Sequence, residues 1–265
     1  MTGRRISLAA GILPEATPAQ LVEAAAMANF DFGGMWVEKD SWSPATTRTI
    51  RTQMRDAGVS LLDVEVAWIM PGPPDPWLCE LVDIAAELGA PNLLCVSSDP
   101  DRDATRAKLQ AMVDRAKGTG VRVNLEFGVF TEVKTLSQAL DILDGVESDG
   151  KGVLCDTIHW DRSGGTASEL ASIPRDLIGY AQACDAPACK PDLADQQAVI
   201  DDAINRRLPL GQGGLALDAY VDALPDDIVF AIEERSAILR DDFPDLTERA
   251  CEVARTSRAW FDARG

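Results

Sequence analysis

The chain has 265 residues, of which 46% are hydrophobic and 26% charged; that composition supplies a large buried core and excludes disorder for the bulk of the chain. Its 43 acidic against 25 basic side chains leave a formal net charge of -18, which repels phosphate backbones and anionic lipid and argues against nucleic-acid or membrane partners. No apolar run approaches the ~20 residues that span a bilayer.

The first segment, MTGRRISLAAGILPEA, reads as an opening strand rather than a signal peptide, because a helix-forming stretch follows at once. From there strand-length apolar runs alternate with amphipathic segments to the end of the chain. The strand-like runs are RISLAAG, FGGMWV, LLDVEVAWI, NLLCVSS, VRVNLEFGV, KGVLCDTIHW, IGYAQACDA and IVFAIEER. Between the earlier ones lie PAQLVEAAAMANF, ATTRTIRTQMRDAGV, WLCELVDIAAELGA and RDATRAKLQAMVDRAKGTG, with apolar residues recurring at helical spacing. Thr17 before Pro18 reads as an N-cap followed by proline in the first turn. Gly58, Gly89 and Gly120 each follow a helical run, where a left-handed residue closes the last turn.

Strands that are apolar throughout are buried on both faces, as in a parallel sheet. Eight β/α units in a chain of this length predict a single-domain α/β fold over residues 1–265, a closed (β/α)8 TIM barrel. A doubly wound open sheet is disfavoured, because no G-x-G-x-x-G follows a strand. The longest irregular stretches are MPGPPDP and DAPACKPDLAD. The six cysteines (Cys79, Cys95, Cys155, Cys184, Cys189 and Cys251) form no C-x-x-C pair and read as reduced thiols of a cytoplasmic protein.

In such a barrel the active site lies at the carboxyl ends of the strands, so polar residues ending an apolar strand are the candidates. Strand five ends in Glu126 and strand six in Asp156, with His159 three residues on. Strand seven ends in Gln182 and Asp185, and strand eight in Glu233, Glu234 and Arg235. Buried carboxylates converging on one rim repel unless paired. A divalent cation relieves that repulsion, and an all-oxygen shell favours Mn2+ or Mg2+ over zinc. Alternation puts one of Glu233 and Glu234 inside the barrel and the other outside, while Asp185 falls to the loop. His159 is the only histidine and stands in a D-x-x-H context. Trp36, Trp68 and Trp160 lie near strand ends and either wall a pocket or pack. Lys190, Arg162 and Arg235 are candidate substrate clamps, and GQGG at 211–214 is a weak candidate phosphate cradle.

Taken in order, SLAAGILPEATPAQLVEAAA, LLCVSSDPDR, VNLEFGVFTEV, GVLCDTIHWDRSGG and LPLGQGG resemble the sugar phosphate isomerase/epimerase superfamily. These xylose isomerase-like TIM barrels include ketose 3-epimerases, hydroxypyruvate isomerase and inosose dehydratase. The resemblance covers essentially the whole chain and implies one divalent cation held by Glu126, Asp156, Gln182 and Glu233, with glutamine where the family more commonly has histidine. It further implies that Glu126 and Glu233 act as base and acid on a carbohydrate through an enediolate, with His159 beside them and Arg235, Lys190, Arg162 and Trp68 contacting substrate. The expected function is a metal-dependent sugar isomerase or epimerase with a small-molecule carbohydrate substrate. An inosose-type dehydratase on the same metal site and a non-catalytic metabolite-binding barrel are the alternatives. Relatives are often homo-oligomers. The endonuclease branch is set aside, because its multinuclear site draws on several histidines.

Overall fold

The computed structural model describes residues 4–264; Met1–Gly3, at the head of the first segment, lie outside the described residues. Eight strands close into a parallel barrel in sequence order: β1 (Ile6–Leu8), β2 (Phe32–Trp36), β3 (Leu61–Ile69), β4 (Asn92–Ser97), β5 (Arg122–Glu126), β6 (Lys151–Asp156), β7 (Ile178–Ala183) and β8 (Phe230–Ile232). Closure runs through Ser7, which pairs with Phe32 of β2 on one side and Ala231 of β8 on the other. Around the barrel lie α1 (Pro18–Met27), α2 (Pro44–Ala57), α3 (Trp77–Leu88), α4 (Arg102–Ala116), α5 (Leu136–Asp144), α6 (Thr157–Arg162), α7 (Ala167–Ala171), α8 (Gln196–Asn205), α9 (Leu217–Ala223), α10 (Ala237–Asp242) and α11 (Leu246–Ala263). No helix among the described residues is long and apolar enough to cross a membrane.

Local chemistry explains the boundaries. Thr17 caps α1 in a reciprocal box, with Gln20 N donating to Thr17 Oγ1 at 3.3 Å and Thr17 N donating to Gln20 Oε1 at 2.9 Å. Gly58 and Gly89 close α2 and α3 at φ of 70° and 76°, a region where a side chain is strained. Gly120 is also left-handed, at φ 86°. It does not close its helix as expected, because α4 ends four residues earlier and Lys117 is the cap.

Two apolar layers follow from strand alternation. Along β4, Leu93 and Cys95 join the large core between barrel and helices, while Leu94 and Val96 join a smaller cluster with Leu154, Tyr180 and Ala231 inside the barrel. Polar residues on the inward positions therefore have no solvent. Asn92 and Asn124 meet toward the amino end, at 3.1 Å, while Glu126, Asp156 and Gln182 lie at the carboxyl end, the rim that carries the candidate site.

Candidate active site

Glu126 ends β5, Asp156 ends β6, Gln182 sits in the last turn of β7, and Glu233 follows β8 directly. All four are buried, between 0% and 7% exposed. Asp156 has a double role. It caps α6, accepting from Ile158 N at 3.1 Å, so TIHW is a helical turn rather than the strand extension the apolar run suggested. That turn brings His159 back over the barrel, with Nε2 3.8 Å from Asp156 Oδ2. Glu126, Asp156 and His159 each offer a ligand atom, and these atoms lie within 4.8 Å of one another.

Arg207 crosses this group. Its Nη1 donates to Asp156 Oδ2 at 2.6 Å and lies 2.9 Å from Glu233 Oε2, while its Nε donates to Ala203 O at 2.6 Å. The Gln182 amide fills the gap between the two glutamates. In the orientation that satisfies hydrogen bonding, its nitrogen donates to Glu126 Oε1 at 3.0 Å and Glu233 Oε2 at 3.3 Å. Turned over, its carbonyl oxygen takes the same place, and three oxygen donors then converge as they would around a cation.

Burial dominates the electrostatics. Desolvation pushes Glu126 well above its ordinary range, helped by the neighbouring charges of Glu233 and Asp156. Burial likewise raises Glu233 to about 8 against the pull of Arg207. For Asp156 burial also acts upward, but Arg207 and His159 outweigh it and hold the carboxyl below its usual value. Desolvation lowers His159 to about 4, with Asp156 opposing, so the imidazole is neutral at neutral pH. Among the site carboxyls, Asp156 is thus the one whose ionised form is favoured.

Glu126, Glu233, His159 and Arg207 line a cavity of about 410 Å3. Trp36, Val66, Trp68, Leu94, Val96 and Phe130 give it an apolar wall, and Glu65, Ser98, Gln196 and Arg235 add polar groups. The Phe130 ring lies 4.8 Å from the His159 ring, and the Arg235 guanidinium stands 5.5 Å over Trp36.

Other expected positions lie elsewhere. Arg162 does not reach the cavity. Its Nε donates to Asp202 Oδ2, its Nη1 to Asp161 Oδ2 and its Nη2 to the Pro187 carbonyl, each at 2.8 Å, which lashes α6 to α8. Lys190 pairs with Asp161 Oδ2 at 3.2 Å on the surface, spent on the same loop. Trp160 is core, packed 5.3 Å from the Tyr220 ring. Glu234 points away from the cavity, as alternation requires. The GQGG segment is no phosphate cradle, because a carboxylate already fills it. Asp185 Oδ2 accepts from Gly211 N at 3.1 Å and Gly213 N at 2.8 Å, and its Oδ1 accepts from Ala186 N at 2.8 Å and Leu215 N at 3.0 Å.

A family model described as the xylose isomerase-like TIM barrel matches residues 22–256. The chain belongs to this family. No curated protein matches the sequence. Among solved structures, a xylose isomerase-like TIM barrel/4-hydroxyphenylpyruvate dioxygenase fusion protein superposes with a TM-score of 0.78 at 20% identity, over 96% of this chain and 42% of that one. The chain therefore spans less than half of the fusion protein. IolI, solved with a zinc atom, gives 0.75 at 16% identity over 97% and 96% of the two chains. D-allulose 3-epimerase from Methylomonas sp., solved in complex with D-allulose, gives 0.70 at 15% identity over 99% and 98%. At these identities the likeness is one of fold.

In this xylose isomerase-like barrel, sequence reasoning missed four inward residues. Arg207 lies in RRLPL, which reads as a charged loop. Asp63 and Glu65 stand on β3 in LLDVEVAWI, and Tyr180 on β7. The signal for the two acids was present, since a carboxylate within an apolar strand has no packing reason to be there. Glu65 Oε2 accepts from Trp36 Nε1 at 2.8 Å. Glu65 Oε1, both Asp63 oxygens and the Tyr180 hydroxyl are buried without a hydrogen-bond partner.

Proposed function

We propose that this barrel is a divalent-metal-dependent isomerase or epimerase that moves a proton beside a carbonyl of a keto- or aldo-sugar or a related polyol. The observation that carries the reading is the cluster of Glu126, Asp156 and His159, whose ligand atoms lie within 4.8 Å of one another, with the Gln182 amide between Glu126 and Glu233, beside a ligand-sized cavity that both glutamates line. The donor set fits a hard cation. It offers three carboxylates and an amide oxygen, and with the guanidinium of Arg207 a dication brings three negative and three positive charges together. Mn2+ or Mg2+ suits these oxygens. When bound, such an ion acts as a Lewis acid that polarises a substrate carbonyl and acidifies the neighbouring C–H.

The side chains then divide the work. Glu126 and Glu233 reach the cavity on either side of the Gln182 amide, so one carboxylate removes the proton and the other carboxyl returns one. Return to the opposite face of the same carbon inverts it; return to the adjacent carbon moves the carbonyl. Neutral His159 hydrogen-bonds a substrate oxygen, Arg235 and Trp68 orient the ligand, and the apolar walls exclude water.

One observation favours a second outcome of the same chemistry, loss of water as in an inosose-type dehydratase. A further carboxyl group, Glu65 on β3, lines the cavity beside Glu126 and Glu233.

The test is to incubate the protein with D-allulose or an inosose in D2O, with and without Mn2+. Carbon-bound deuterium is followed by NMR and product mass by mass spectrometry. Metal-dependent deuterium uptake that is abolished in Glu126→Gln and Glu233→Gln, both still folded, is expected. Ligand-induced thermal stabilisation with no exchange would instead assign a non-catalytic metabolite-binding barrel.

A further inference from the structure

Glu65 belongs to neither the four-residue donor set nor the pair of proton-transfer glutamates, yet its carboxyl group lines the cavity while only 2% exposed. No lysine, arginine or histidine among the described residues forms an ion pair with it. Its Oε2 accepts from the Trp36 indole at 2.8 Å, and its Oε1 is buried without a hydrogen-bond partner. Asp63, two residues back on the same inward face, competes for the same space. A Cβ on Gly34 would stand 2.9 Å from Asp63 Oδ1 and 3.0 Å from Glu65 Oε1, so both oxygens face one point, and glycine at 34 is what makes room for them.

We propose that Glu65 is the proton-donating acid of the pocket, delivering its carboxyl proton to a substrate hydroxyl that departs as water. This deepens the reading above and rests on it. The base, Glu126 or Glu233 as carboxylate, takes the C–H proton. The electron pair left on that carbon forms a C=C bond as the β C–O bond breaks, and the Glu65 proton goes to the departing oxygen. Water is released, the base has gained one proton and Glu65 has lost one, and solvent exchange restores both. Nothing is oxidised or reduced.

The surroundings keep the proton in place. Burial raises Glu65 to about 8 and the Asp63 charge adds to it, while the Trp36 indole and Arg235 pull the other way. Glu233 and Glu126 face the same interior from β8 and β5, and Tyr180 does so from β7. Asp63 is therefore a positioning residue, acting through the charge it sets beside Glu65.

A small aryl diazoacetamide esterifies carboxylic acids in their protonated form, so it reads the acid directly on the intact protein. Incubation at pH 7 followed by peptide mapping is expected to place the ester on Glu65. Labelling should fade as pH rises past about 8 and be lost in Glu65→Gln, and Asp63→Asn should move its midpoint to lower pH. No ester on Glu65, or a midpoint unmoved by Asp63→Asn, overturns the assignment.

The second arm uses Mn2+-loaded protein with D-allulose or an inosose in D2O. Glu65→Gln is expected to keep deuterium uptake within about threefold of wild type while water loss falls ~10²-fold or more, the range for a lost general acid. Unchanged water loss, or exchange and water loss falling together, overturns it. If wild-type protein exchanges neither probe, the enolisation reading fails and the labelling result alone decides whether Glu65 is the acid.

Discussion

Arg207 Nη1 donates to Asp156 Oδ2 across 2.6 Å, with both side chains closed to solvent at 2% and 0% exposure. The same nitrogen reaches Glu233 Oε2, so one guanidinium compensates two of the three carboxylates at the candidate metal centre. Removing it leaves buried acids unpaired. Arg207→Met is expected to lose ~3–5 kcal/mol of stability without metal, measured by urea denaturation, and to recover part of that loss when Mn2+ is added. Equal stability to wild type without metal would mean that the pair contributes nothing.

The buried acids Asp63 and Glu65 predict an inverted pH dependence. Burial holds Asp63 at about 7 and Glu65 at about 8 in the folded chain. Once unfolded, both return to the ordinary carboxylate range. Between those values the folded chain binds more protons than the unfolded one, so stability falls as pH rises from about 5 to 8. Glu65→Gln should make that slope shallower by up to ~1.4 kcal/mol per pH unit, the value for one proton. Denaturation midpoints of metal-free protein across this range check it.

His159 acts with the opposite sign. Its folded value is depressed to about 4 by burial, so below the ordinary imidazole value the unfolded chain takes up a proton that the folded chain refuses. The resulting loss of stability grows as pH falls through about 6.5 towards 4. His159→Gln should remove this acid-side decline, read from the same midpoints.

Asp185 holds the 209–215 segment through three of its backbone N–H groups, those of Gly211, Gly213 and Leu215. Asp185→Ala strands those donors, at ~1–3 kcal/mol for each buried group that water does not reach. Limited proteolysis is expected to cut near Gly211–Gly214 first, and hydrogen exchange there to rise before the barrel strands open.

Gln182 offers an amide oxygen at a position where the family more often has an imidazole. Gln182→His is expected to raise Zn2+ affinity by ~10-fold or more while leaving Mg2+ affinity nearly unchanged, because nitrogen suits the softer ion. Isothermal titration of each metal separates these outcomes.

How much of this was legible depended on whether a residue's place is fixed by periodicity. Strand positions are, and so eight apolar runs gave eight strands, and Glu126, Asp156, Gln182 and Glu233 arrived together at one rim. Asp63 and Glu65 obeyed the same logic but lay in the first half of the barrel, away from the strand ends that drew attention. Loop residues have no period to fix them. Arg162 and Lys190 looked free to clamp a ligand but are spent on Asp161 and Asp202. Arg207, which follows α8, has no such period to mark it, yet it reaches carboxylates that lie 51 and 26 residues away in sequence. The GQGG glycines looked like an anion site, and the anion they bind is the chain's own Asp185.

The account turns on one cation at the barrel floor, and a Mn2+ soak of crystals with anomalous diffraction addresses it directly. The expected result is a single anomalous peak coordinated by oxygens of Glu126, Asp156, Gln182 and Glu233, with the Gln182 amide turned so that its oxygen faces the ion. A floor that stays free of metal at saturating Mn2+, with Arg207 still bridging Asp156 and Glu233, would contradict it.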